Sequence, residues 1–66
     1  MTNVGNCVKK AQNLKGIKSA DLARASGVRQ QQVTRWRSQK NMKLHTVELL
    51  CRIFDISVDE FCSLDK

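Results

Sequence analysis

Residues 29–37 read Arg-Gln-Gln-Gln-Val-Thr-Arg-Trp-Arg, and no other stretch concentrates as much hydrogen-bonding capacity. A Gln amide offers a donor beside an acceptor and can meet the N6/N7 edge of adenine with two bonds. An Arg fork matches guanine O6/N7, and each such pairing is worth about 1–3 kcal/mol of discrimination. The run contains no acid. Between Asp21 and Glu48 six basic residues occur (Arg24, Arg29, Arg35, Arg37, Lys40, Lys43) and no carboxylate. A helix face that is merely solvated mixes Glu with Lys for pairing one turn apart. An acid-free face suits a polyanion.

The charge of the whole chain agrees. Residues 1–47 hold ten basic residues and one acid, whereas residues 48–66 hold two basic residues and five acids. A field so lopsided draws a polyanion to one side of the molecule. Catalysis is not expected: there is no set of paired carboxylates, no Cys–His dyad and no glycine loop able to cradle phosphate. The three cysteines (Cys7, Cys51, Cys62) are scattered and form no CxxC, and His45 is the only histidine. Neither a metal site nor a disulfide framework is expected, and the thiols read as small apolar groups in a reducing compartment. The start is polar, with no secretory signal, and no apolar run approaches the ~20 residues needed to span a bilayer. A cytoplasmic location is expected, with no cofactor and no membrane association.

The elements that must position the polar run are short. At 66 residues the chain reads as one domain with no linker, burying about 60% of the surface its unfolded form exposes, so function should lie on the surface. The spacing of Val4, Cys7, Val8, Ala11 and Leu14 predicts a first helix with one apolar stripe, closed by Gly16, with Lys9, Lys10 and Gln12 facing away. A second helix begins at Lys18 or Ser19, Ser19 being a suitable cap, and turns Leu22, Ala23 and Ser26 inward before Gly27. The third spans about residues 30–37 and is anchored only by Val33 and Trp36, with Val28 before it. Trp36 reads as core because it follows Val33 by one turn. A basic loop, residues 38–43, leads to a fourth helix with Leu44, Val47, Leu50, Cys51 and Phe54 on one face and Leu49 and Ile53 on a neighbouring face. A fifth, short helix is capped by Ser57, with Glu60 at capping-box spacing, and carries Val58, Phe61, Cys62 and Leu64. Five helices without a strand pattern make an all-α globule.

A short helix, a turn holding Gly27 and a second helix form a helix-turn-helix at about residues 19–38. The run IKSADLARASGVRQQQVTRWRSQK resembles the helix-turn-helix of Cro/C1-type phage repressors, the XRE family. LHTVELLCRIFDISVDEFC is similar to that family's fourth and fifth helices. The resemblance covers about residues 4–64 and implies a five-helix, lambda-repressor-like DNA-binding domain. It implies that the third helix reads base edges in the major groove through Arg29, Gln30, Gln31, Thr34 and Arg35. Phosphate contacts are implied for Lys18, Ser19, Ser38, Lys40 and Lys43, with Gln12 joining from the first helix. Many members pair an Arg in the first helix with a Glu near the end of the third; here Gln12 and Arg37 stand there. The bridge is therefore expected to be absent and Arg37 free to contact phosphate or base. Many also have Gly after the third helix, where this chain has Gln39.

The expectation is a sequence-specific regulator of transcription, a phage- or prophage-type repressor acting on a pseudo-palindromic operator as a homodimer. The resemblance points to the fourth and fifth helices for the dimer surface, through Leu49, Ile53, Val58 and Phe61. No small-molecule effector is expected. The rival readings are a protein-binding adaptor or antitoxin-like module on the same fold, and a nonspecific or RNA-binding basic domain.

Overall fold

The computed structural model describes residues 3–65, which form five α-helices: α1 (Val4–Lys15), α2 (Ser19–Ser26), α3 (Gln30–Ser38), α4 (Leu44–Phe54) and α5 (Val58–Ser63). The described residues contain no strand. Two helix ends follow from glycine's freedom to turn left-handed. Gly16 after α1 has φ 66° and Gly27 after α2 has φ 72°. The end of α4 uses Asp55 at φ 58°, a conformation that Asp tolerates better than most residues.

Each start has its own chemistry. The Asn3 side chain accepts from the Asn6 N–H at 3.2 Å, and Ser57 Oγ accepts from the Glu60 N–H at 3.1 Å, as the capping-box spacing predicts. Helix α2 departs from expectation: its N-cap is Lys18, without a side-chain cap, and Ser19 is already helical. The Ser19 hydroxyl instead takes part in a network with α1, described below.

The core is one cluster drawn from all five helices. Cys7, Val8 and Ala11 of α1 meet Leu22 and Ala23 of α2, Val33 and Trp36 of α3, Val47, Leu50, Cys51 and Phe54 of α4, and Phe61 of α5. Phe54 and Phe61 stack with ring centroids 6.5 Å apart. Burying a side chain of this size contributes about 1.5–3 kcal/mol, so a few such residues decide whether so short a chain folds. Helix α3 packs against both α1 and α2, which fixes its inner seam and leaves its outer face open.

Two leucines assigned to apolar faces are not in the core. Leu14 is 63% exposed and Leu44 66% exposed. Each lies at an outer end of its helix, the last turn of α1 and the first residue of α4. Helical periodicity carries a stripe to the end of a helix, whereas packing stops where the neighbouring helices stop. Phe61 is corrected in the opposite direction. It is 0% exposed, wholly inside the core, and so gives no surface to a second copy.

Gly5 was not singled out by the sequence, yet it fixes how α1 meets the chain beyond α3. A Cβ there would lie 2.6 Å from the carbonyl oxygens of Arg37 and Gln39. The close approach lets the Gly5 N–H donate to the Gln39 carbonyl at 2.7 Å and the Val4 N–H to the Lys40 carbonyl at 3.0 Å. Two otherwise orphaned donors of the α1 start are thereby satisfied by the loop that follows α3. Gln39 itself is extended, at φ −83° and ψ 140°, so the glycine usual at this point is not needed.

Candidate nucleic-acid interface

Helix α3 divides into two faces. Val33 and Trp36 are buried and Gln32 is half-buried, whereas Arg29, Gln30, Gln31, Thr34 and Arg35 are exposed. Arg29 is the N-cap, in extended backbone, so its side chain leaves at the very start of the helix. The only bond within α3 made by these exposed side chains is local, from Thr34 Oγ1 to the Gln30 carbonyl at 3.3 Å. Arg29, Gln31 and Arg35, with Val28 and Gln32, line a shallow depression of about 470 Å³. The five residues expected to read bases therefore share the outer surface of one helix. Their amides and guanidinium groups have no partner inside the protein among the described residues.

The flanking cations continue that surface. Ser38, Lys40 and Lys43 are exposed around the end of α3 and the start of α4. Ser38 Oγ donates to the Arg35 carbonyl at 3.0 Å and also lies 3.4 Å from the Thr34 carbonyl. Lys43 is the N-cap of α4, and no side chain caps that end. Lys18 is exposed at the start of α2 beside half-buried Ser19. Among the described residues the one ion pair is Arg24–Asp21, an exposed contact at 3.9 Å that contributes little to stability. Among the described residues no carboxylate neutralises Arg29, Arg35, Arg37, Lys40 or Lys43.

Gln12 and Arg37 are arranged otherwise than their types suggest. Gln12 was expected on the outer side of α1, within reach of phosphate, but is only 5% exposed. Its amide nitrogen donates to the Ile17 carbonyl at 3.3 Å and to Ser19 Oγ at 3.2 Å. Its amide oxygen accepts from Arg37 Nη1. Polar character alone suggested a solvated residue. Here α1, the start of α2 and the end of α3 converge, and an amide with two donors and one acceptor satisfies all three. Arg37 is accordingly not free: the carboxylate bridge is absent, and a hydrogen bond to Gln12 stands in its place. Among the described residues every buried side-chain nitrogen and oxygen has a partner.

Cys7 and Cys51 are buried, and burial pushes both thiols above their ordinary range. Among the described residues no group of His, Cys, Asp and Glu could hold a metal ion, and no helix is long and apolar enough to cross a membrane.

Two helices joined tightly at Gly27, the first held to the core by Leu22 and Ala23 and the second exposing a polar, acid-free face, define a helix-turn-helix DNA-binding domain. Over residues 9–66 the sequence matches the family model of the Cro/C1-type HTH DNA-binding domain, and the chain belongs to that family. Its class is that of DNA-binding regulators of transcription. No curated protein and no solved structure matches the chain.

Proposed function

We propose that this chain is a sequence-specific repressor of the Cro type, of phage or prophage origin, acting in the cytoplasm by occupying operator DNA without a small-molecule effector. It acts by binding and not by catalysis. The start of α3 enters the major groove, where Arg29, Gln30, Gln31, Thr34 and Arg35 meet base edges. Lys18, Ser19, Arg37, Ser38, Lys40 and Lys43 fix the register by contacting phosphates. The observation that carries this reading is the outer face of α3, which is polar and basic, contains no acid and has almost no part in holding the fold together.

Domains of this kind occupy pseudo-palindromes as dimers, with half-sites about 34–36 Å apart. The second copy would dock on the α4–α5 side through Leu49, Ile53 and Val58. Leu49 supports this best, being half-buried but outside the core cluster, whereas Ile53 and Val58 pack partly against it.

In vitro selection from random duplexes tests the proposal. Wild type should enrich one motif with two-fold symmetry. Gln31→Ala should relax preference at a single position, at a cost of about 1–3 kcal/mol, and Lys40→Ala should weaken every site alike. Failure of wild type to enrich any motif would sink the operator-binding reading and favour the adaptor role.

A further inference from the structure

Arg37 is the one half-buried arginine among the described residues; Arg24, Arg29, Arg35 and Arg52 are all exposed. A cation withdrawn from water ordinarily sits against a carboxylate, because an unpaired buried charge is costly. Arg37 sits against an amide. Gln12 Oε1 accepts from its Nη1, and no carboxylate among the described residues lies within ion-pair distance. The amide cannot turn to offer its nitrogen, because both donors of that nitrogen are held by the Ile17 carbonyl and Ser19 Oγ. Arg37 is thus fixed in place and left with its full positive charge.

The surroundings sharpen this. Gln12 and Arg37 line a depression of about 430 Å³ together with Lys18 and Ser19, and no acid lines it. A second cation beside the first makes the vacant arrangement electrostatically unfavourable and an anionic occupant favourable. We infer that Gln12 is a positioning residue: it presents Arg37, uncompensated, to one phosphodiester group of the bound duplex, which Arg37 and Lys18 grip together. The inference rests on the DNA-binding reading above and adds to it a specific division of labour. Gln12 touches no DNA. Its neutrality is what matters, since a carboxylate there would still accept from Arg37 but would cancel the charge that the phosphate needs.

Gln12→Glu is therefore the decisive variant. It creates an ion pair with Arg37 but gives up the N–H bond to the Ile17 carbonyl and sets an oxygen against it, while the Ser19 hydroxyl can turn to donate. The domain should therefore melt below wild type yet stay folded at the assay temperature. Its affinity for the selected operator should fall about tenfold, equally for specific and unrelated duplexes. The slope of log K against log salt should shrink by about one, the signature of one lost phosphate contact. Arg37→Gln, which removes the same charge from the other end, should shrink the slope by the same amount. Leu14→Glu adds an equal charge to the same helix outside the depression and should leave the slope near wild type. A well-folded Gln12→Glu protein with the wild-type slope would overturn the inference, as would a Leu14→Glu protein as impaired as Gln12→Glu. If wild type bound no duplex at all, the DNA-binding reading would fall first, and this inference with it.

Discussion

Replacing Gly5 by Ala tests the way α1 is seated on the chain beyond α3, because local and tertiary arguments give opposite signs. Gly5 lies within α1 in ordinary helical backbone, and there Ala outranks Gly by about 0.8–1 kcal/mol. Propensity alone thus predicts a more stable protein. The structure predicts the reverse. The new methyl would lie 2.6 Å from two carbonyl oxygens and 2.9 Å from the Arg37 carbonyl carbon, whereas ordinary contact begins near 3.4 Å. The obstacles are backbone atoms, so no side chain can rotate aside. Relief requires moving α1 away from the chain at residues 37–40, at about 1–3 kcal/mol for overpacking. The same movement stretches the bonds from Val4 N–H and Gly5 N–H to the loop carbonyls, each worth about 0.5–1.5 kcal/mol. After the propensity gain, a net loss of about 2 kcal/mol remains. In a domain of this size that lowers Tm by about 8–16 °C. Thermal unfolding followed by far-ultraviolet circular dichroism, wild type beside Gly5→Ala, measures it directly. A variant as stable as wild type, or more stable, would refute the seating of α1 on the Gln39 and Lys40 carbonyls.

Two further outcomes follow from titratable groups. Asp65 accepts a 2.6 Å bond from the Asn3 N–H, and this bond, the largest cause, holds its carboxyl below the ordinary carboxylate range. A folded-state value lower than the unfolded one gives stability that is present above the unfolded value and lost as pH falls through the folded one. The Tm advantage of wild type over Asp65→Asn should therefore be constant near neutrality and shrink as pH falls below about 4. An advantage that grew on acidification would refute the assignment. For the thiols, burial raises Cys7 and Cys51, so at mildly alkaline pH a thiol-specific reagent should modify half-buried Cys62 first. Cys7 and Cys51 should react only as fast as the protein opens, and all three should react at once in denaturant. Equal rates in the folded protein would contradict the core placement of α1 and α4.

What the sequence discloses here is mostly what is local. Gly16 and Gly27 announce helix ends because few other residues take positive φ cheaply, and Ser57 with Glu60 announces a start. Val33 and Trp36 reveal the inner seam of α3 because every neighbour is polar. The outer face, residues 29–31 with Thr34 and Arg35, is legible for the same reason. The misplaced residues are those whose setting depends on a distant element. Leu14 and Leu44 continue a correct stripe past the reach of any packing partner. Phe61 could be core or interface until α4 is seen stacked against it. Gln12 looks solvated until α2 and α3 close over it, and Gly5 looks incidental until residues 37–40 arrive beside it. Nothing local in the sequence marks those two approaches, since both join segments more than twenty residues apart in at least one partner.

The separation of α3 into an inner seam and an outer face bears on how such a protein can change. Val33 and Trp36 hold the helix, while Arg29, Gln30, Gln31 and Arg35 contribute almost nothing to cohesion. Substitutions on the outer face should therefore be close to neutral for folding; on the base-reading role proposed above, mutation can explore new operators one base at a time without passing through an unfolded intermediate. Descendants of one such gene can diverge in the sites they occupy while keeping the same interior, and a grafted outer face should carry its target preference with it.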